Sequence, residues 1–159
     1  MKQSQLARWL KCITVLVTAL ATAFFFYIIP GMGRDFGRSF PDLAYLFRSY
    51  VIWIWIAAVP CYLALGNLWK ICCEIGRDRS FSRPVSRSLQ SISWLALSDT
   101  VLCFVVSNVF FFSNRLHPGL LIACFFLEVG GLGVSLVAAV LSHWVEKGYA
   151  LKTDNDLTI

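Results

Sequence analysis

Four long runs of apolar residues, each bounded by charged residues, dominate this chain of 159 residues. The charged residues that bound them are Lys11 and Arg34, Arg48 and Lys70, Arg87 and Arg115, and Arg115 and Glu146. In that order the runs hold 22, 21, 27 and 30 residues, and each of the last two contains one charged residue. A helix needs about 20 apolar residues to cross a hydrocarbon layer about 30 Å thick. Each run therefore predicts a membrane-spanning helix.

The runs lack the alternation of polar and apolar residues that strands of membrane barrels show. Within lipid a segment must satisfy its own backbone hydrogen bonds, which favours helices. The first run exceeds the about 7–15 residues of a signal-peptide core, so we expect it to remain as a helix. We predict an all-α integral membrane four-helix bundle, a single domain over residues 1–159. Its helices cover about 12–29, 50–72, 91–112 and 119–144, and residues 145–159 form a cytoplasmic tail.

Composition and charge agree with a membrane protein. Apolar residues make up 58% and charged residues 14% of the chain, against roughly 45–50% and about 25% in soluble domains. With the N-terminus inside, the inner segments carry ten Lys and Arg residues and the outer loops carry four. Because cytoplasmic loops carry the excess, both termini are predicted to be cytoplasmic in a multi-pass protein of the bacterial inner membrane. The net charge of +5 fits contact with anionic lipid headgroups of the bilayer, and direct nucleic-acid binding is not expected.

Turn and cap residues predict where some helices begin and end. Pro30-Gly31 is predicted to end the first helix, and an irregular outer loop should follow as far as about Ser49. Ser82 followed by Arg83 and Pro84 predicts a helix start, because Ser caps and Pro suits the first turn. The short connection at 113–118 predicts that the third and fourth helices form an antiparallel hairpin.

Two carboxylates, Asp99 and Glu128, fall inside apolar runs. An ionised carboxylate costs about 2.5–3.5 kcal/mol or more near the bilayer centre, so each should face a protein interior or be protonated. Counting helix rise places them at different depths, with Asn67 near the level of Asp99, and Tyr27 and Asn108 near the level of Glu128. Two interpretations stay open: polar residues that hold helices together, or a proton or ion pathway.

Gly131, Ser135 and Ala139 recur at a spacing of four in the fourth run, and Glu128 lies on the same face. Small residues at this spacing let helix backbones approach closely. The face should pack on a neighbouring helix, either within one chain or in a homodimer.

The sequence contains no constellation typical of an enzyme. Its two histidines, His117 and His143, lie near opposite ends of the fourth helix, and no Cys-x-x-Cys or His-x-x-x-His spacing occurs. Neither a nucleophile elbow nor a phosphate-binding glycine loop is present. We expect no enzymatic activity, no bound metal and no cofactor.

The last nine residues are Leu-Lys-Thr-Asp-Asn-Asp-Leu-Thr-Ile, and Ser80-Phe81-Ser82 precedes a predicted helix. Together with the four spans, these features resemble the bacterial family of small membrane proteins catalogued as domain of unknown function 2975. The resemblance covers essentially the whole chain. After Phe81-Ser82 this chain has Pro84-Val85-Ser86, where the family pattern has an Asn.

The resemblance implies a role and a partner. Family members are often encoded beside a small helix-turn-helix regulator, which implies an accessory or sensor protein that binds this regulator through its inner loop and tail. The residues implied in this contact are Arg77, Arg79, Phe81, Ser82, Arg83, Asp154, Asn155, Asp156, Leu157 and Ile159. The alternative function is a small proton- or ion-coupled transporter that uses Asp99 and Glu128.

Overall fold

The computed structural model describes residues 3–39, 44–77, 79–113, 115–116 and 118–156. Every regular element in these ranges is a helix. Helix α1 covers Gln3–Ala23 and continues through a π-helical turn, Phe24–Ile28, into α2, Ile29–Ser39. Helix α3 covers Ala44–Gly76, α4 covers Arg83–Phe112 and α5 covers Pro118–Asp156.

Four helical stretches are long and apolar enough to cross a membrane, which confirms the predicted all-α architecture. They are Ala7–Gly31, Val51–Gly76, Arg83–Phe112 and Leu121–Thr153. Their exposed side chains are mostly large and apolar, as at Leu127 and Leu136, whereas Ala7, Ala58 and Ala138 are buried between helices. This distribution is expected where lipid surrounds the protein and small residues lie at the contacts between helices.

The chain does not leave the helical conformation at Pro30, so the predicted helix end at Pro30-Gly31 is wrong. The π-helical turn lies directly before it, and the N–H of Ile29 bonds to the carbonyl of Phe24, five residues earlier. A proline lacks the N–H of the helical ladder and its ring crowds the preceding turn. The widened turn relieves this crowding, so the helix continues to Ser39 where an irregular loop was expected.

Helix α4 begins where the cap pattern predicts, with Ser82 in extended conformation at the N-cap and a proline in the first turn. Its backbone carbonyl accepts hydrogen bonds from the N–H groups of Val85 and Ser86, at 3.1 and 3.2 Å. The short connection after Phe112 returns the chain as α5, and α4 and α5 form the most extensive helix pair, as the predicted hairpin requires.

Within the described residues, each long helix packs extensively only on its neighbours along the chain: α1 on α3, α3 on α4, and α4 on α5. Among the described residues, side-chain hydrogen bonds and the Lys11 ammonium, 5.8 Å from the centroid of the Trp69 ring, join α1 to α3. The hydroxyl of Thr14 lies 3.7 Å from the Cys72 sulfur, and the hydroxyl of Tyr62 donates to Thr22 at 3.0 Å. The helices are thus held mainly in sequence order.

Helix α5 has 39 residues, a length of about 58 Å at 1.5 Å per residue. This is nearly twice the about 30 Å of a hydrocarbon core. Residues 145–156, predicted as a tail, continue this helix, and Glu146, Lys147 and Lys152 are exposed on it. Helix α5 is therefore longer than a single crossing requires.

Candidate functional site

Hydroxyl side chains recur every seven residues along the face of α4 that packs on α5. These residues are Ser86, Ser93, Thr100 and Ser107. Their counterparts on α5, in the same order, are Ser142, Ser135, Gly131 and Glu128. Seven residues make about two helical turns, so each set forms one stripe along its helix. We call the two facing stripes the hydroxyl ladder.

Hydrogen bonds between serines join the part of this ladder nearer the start of α4, and those of the Ser86–Ser142 pair run in both directions. Ser142 Oγ donates to the carbonyl of Ser86 at 2.9 Å, and the two hydroxyl oxygens lie 3.1 Å apart. Ser135 Oγ donates to the carbonyl of Ser93 at 2.9 Å, with the hydroxyl oxygens 3.2 Å apart. Side chains that reach the backbone of the facing helix require a close approach, which small residues permit.

Glu128 lies in the same ladder and is 7% exposed. Ser107 Oγ donates a hydrogen bond to its Oε1 at 2.9 Å. The partners expected from depth alone are placed elsewhere. Tyr27 is 78% exposed, and the Asn108 amide donates to the carbonyl of Phe104 on its own helix.

Asp99 lies on a different interface, between α3 and α4. The Cys61 thiol donates to its Oδ2 at 3.7 Å, and Oδ1 is buried without a hydrogen-bond partner among the described residues. Asn67, expected beside it, donates instead to the carbonyl of Leu63. Asp99 and Glu128 therefore bond to different helices and do not share a partner.

The small residues of α5 face α4 at alternating spacings of three and four. Gly131 and Ser135 take part, and Ala138 is buried beside them, whereas Ala139 is exposed. The predicted set therefore holds at its first two members and shifts by one residue at the third. Among the described residues, no group of three or more His, Cys, Asp or Glu side chains could hold a metal ion.

A second site lies at the end of the hairpin where α5 projects from the membrane. There a cavity of about 440 Å³ opens between the loop before α4 and the last turns of α5. We call it the basic pocket, and its lining residues are Arg79, Phe81, Ser82, Arg83, Pro84, Tyr149, Lys152 and Thr153.

Two aromatic contacts hold the loop against α5. The ring of Phe81 covers Gly148 so closely that a Cβ there would lie 2.5 Å from the ring. The guanidinium of Arg83 lies over the ring of Tyr149, 5.7 Å from its centroid, a cation–π arrangement. The Ser82 hydroxyl is buried and makes no hydrogen bond to the described part of the chain.

Of the described residues implied in partner binding, only those of the inner loop line the basic pocket. Arg79, Phe81, Ser82 and Arg83 line it, whereas Arg77 pairs with Glu74 at 3.4 Å. Asp154, Asn155 and Asp156 are the last residues of α5, and their side chains lie outside the description. Leu157 and Ile159 lie outside the described residues altogether.

Sequence reasoning did not single out Gly148, Tyr149 and Thr153 as site residues. A signal for Tyr149 was present in the seven-residue repeat, since Glu128, Ser135, Ser142 and Tyr149 follow one another at that spacing. Tyr149 thus continues the stripe that faces α4. Tyr149 lies past the point where α4 begins, so the loop before α4, rather than α4 itself, lies opposite it.

These features define a helical membrane protein with four candidate spans, a polar interface inside the hairpin and a basic end outside it. The chain belongs to the family described as Protein of unknown function (DUF2975), which matches residues 31–159. It is 24% identical over 153 residues to the uncharacterised membrane protein YoaS of Bacillus subtilis strain 168, across 95% of this chain and 96% of that protein. The predicted family resemblance is confirmed, and no solved structure matches the chain.

Proposed function

We propose that this protein is a non-enzymatic accessory or sensor protein of the bacterial inner membrane, and that it binds a cytoplasmic regulator at its basic end. The resemblance implies a helix-turn-helix protein as that regulator. The observation that carries the proposal is the meeting of the loop at 79–84 with the end of α5 on one surface. Two segments far apart in sequence thereby offer one composite binding surface.

The exposed side chains of this surface support a protein contact. Phe81 is 56% exposed despite its packing on Gly148, and Arg79 and Arg83 are exposed beside it. Aromatic and arginine side chains contribute most often to the strongest contacts in protein interfaces.

The test is a crosslinking pull-down from native membranes. The full-length chain, a chain truncated after Ala150, and Arg79→Glu would be compared, with Arg34→Glu as the matched control. Arg34 is an exposed arginine on α2, far from the basic pocket. We expect the full-length chain and Arg34→Glu to recover a helix-turn-helix protein and the other two to lose it. Equal recovery by all four forms, or by none, would contradict the proposal.

One observation favours the alternative, an ion- or proton-coupled transporter. The buried, unpartnered Oδ1 of Asp99 is a group able to take up a proton or a cation. Proton flux into liposomes would separate the two functions, with Asp99→Asn and Glu128→Gln as variants. A transporter loses flux in at least one of them, whereas the regulator-binding function tolerates both.

A further inference from the structure

We propose that the basic pocket binds the phosphate group of an anionic lipid headgroup. This inference goes beyond the proposed function, because it holds whether or not a cytoplasmic protein binds at the same end. Three cationic side chains, Arg79, Arg83 and Lys152, line one cavity of about 440 Å³. The side-chain ion pair found in the described residues, Arg77 with Glu74, lies outside the pocket.

The donors in the pocket suit phosphate oxygens. The planar guanidinium groups of Arg79 and Arg83 can each donate two parallel hydrogen bonds, and Lys152 adds a compact charge. The Ser82 residue belongs to the pocket lining, and its buried hydroxyl has no hydrogen-bond partner among the described residues. Ser82 also occupies the N-cap position of α4 without a side-chain capping bond, and the N-terminal end of that helix carries a partial positive charge.

The shape of the pocket is set before any ligand enters. Arg83 is held over the Tyr149 ring, and Phe81 is held on Gly148. Fewer rotamers then need to be fixed on binding, which favours a specific site over a loose attraction between basic residues and the membrane surface.

The position of the pocket identifies lipid as the source of the phosphate. The pocket lies between the first turn of α4 and the last turns of α5, at the same end of both candidate spans. Trp144, which is 68% exposed, precedes Tyr149 by five residues, or about 7.5 Å along the helix. Tryptophan prefers the headgroup level, so phosphate groups of neighbouring lipids lie within reach of the pocket.

The test measures lipid retention by native mass spectrometry of the full-length chain. The protein is released from nanodiscs of phosphatidylcholine mixed with an equal share of phosphatidylglycerol. The variants are Arg83→Gln and Lys152→Gln, and the matched control is Arg87→Gln, which removes an exposed arginine one turn along α4, outside the pocket lining. Arg83→Lys keeps the positive charge and is a second control. It shows whether a loss in the neutral variants comes from the missing charge or from misfolding.

We expect the wild-type chain to retain one phosphatidylglycerol molecule in preference to phosphatidylcholine. A pocket variant should lower that retention by about tenfold or more, because it loses charge-assisted hydrogen bonds to the phosphate as well as the general attraction of a basic residue to an anionic surface. Arg87→Gln should retain lipid as the wild-type does, and Arg83→Lys should recover most of the loss. Equal losses in the control and the pocket variants would overturn the proposal and leave only diffuse attraction.

A second arm distinguishes lipid from free phosphate. In nanodiscs of phosphatidylcholine alone, inorganic phosphate or glycerol phosphate is added and the unfolding temperature of the full-length chain is followed. Stabilisation by phosphatidylglycerol but not by the soluble phosphates supports a headgroup site. Equal stabilisation by the soluble phosphates overturns lipid as the source. The two proposals can fail separately. If the pull-down recovers no regulator but phosphatidylglycerol is still retained, the proposed function fails and the lipid site stands.

Discussion

At the scale of single residues, Gly131 shows how closely the two helices of the hairpin approach. A Cβ built on it would overlap the hydroxyl of Thr100, which is held in place by a 2.8 Å hydrogen bond to the carbonyl of Ala96. Thr100 is β-branched, so its rotamers are few in a helix. Gly133, two residues along, has open space around it.

Gly131→Ala should therefore destabilise the protein by about 1–3 kcal/mol, the usual effect of overpacking a close contact. Gly133→Ala is the matched control and should be neutral or slightly stabilising, because alanine favours helix over glycine. Unfolding by denaturing detergent in mixed micelles measures both. Thr100→Ala combined with Gly131→Ala should recover part of the loss, and equal behaviour of the two single variants would contradict the close contact.

Glu128 is a residue whose partner depends on direction as well as depth. Counting helix rise gives the level of a residue in the membrane but not which neighbouring helix its side chain faces. Asn108 is one residue from the actual partner, Ser107. Depth therefore located the partner of Glu128 to within one residue, but it did not show which face of α4 contacts Glu128.

Glu128→Gln should change stability by less than about 0.5 kcal/mol, because the amide oxygen still accepts the hydrogen bond from Ser107. Glu128→Ala removes the acceptor and should destabilise the hairpin by about 0.6–1.7 kcal/mol, the range measured for such bonds between membrane helices. The same detergent unfolding assay measures both. Equal effects of the glutamine and alanine variants would show that the carboxylate itself matters more than the hydrogen-bond acceptor.

At the scale of elements, the apolar runs predicted the four candidate membrane spans, because the thickness of the bilayer alone sets the required length. The start of α4 after Ser82 and the hairpin were also predicted, since each depends on residues close in sequence. The continuation past Pro30 was missed, because a π-helical turn has no marker in local composition. The sequence analysis named Ala139 at the contact with α4, whereas Ala138 is the buried residue. A strict spacing of four departs from the seven-residue repeat that keeps residues on one helix face.

The hydroxyl ladder fixes the register of α4 against α5, and cysteine pairing tests it. In a background with the six native cysteines replaced by alanine, Ser93→Cys with Ser135→Cys should form a disulfide on mild oxidation, because the two hydroxyl oxygens lie 3.2 Å apart. Ser93→Cys with Leu136→Cys is the control, since Leu136 is 67% exposed. Gel shifts with a maleimide polymer count the free thiols, and bonding in the control pair alone would show a slipped register.

At the scale of the whole molecule, the long α5 and the basic loop give the protein two different ends. The end with the basic pocket carries Arg79, Arg83, Arg87 and Lys152, while α2 carries Arg34 and Arg38. The proposed regulator contact requires that the basic pocket face the cytoplasm, as the distribution of Lys and Arg predicts.

Reporter fusions check this orientation. Alkaline phosphatase fused after Ala150 should be inactive and green fluorescent protein at the same position should fluoresce, because that end is predicted to be cytoplasmic. The same two reporters fused after Arg115, in the opposite connection, should give the reverse pattern. An active phosphatase after Ala150 would invert the topology and exclude a cytoplasmic regulator at the basic pocket.

The hydroxyl ladder also determines which parts of the protein can move together. Two hydrogen-bonded serine pairs, the Thr100 contact and the Glu128 bond join α4 to α5 over most of the membrane. Between α3 and α4, the side-chain bond within the described residues is the longer one from Cys61 to Asp99. Sliding α4 past α5 would break the whole ladder at once, whereas tilting the pair against α3 breaks little. Movement among the described helices should therefore keep α4 and α5 together as one unit.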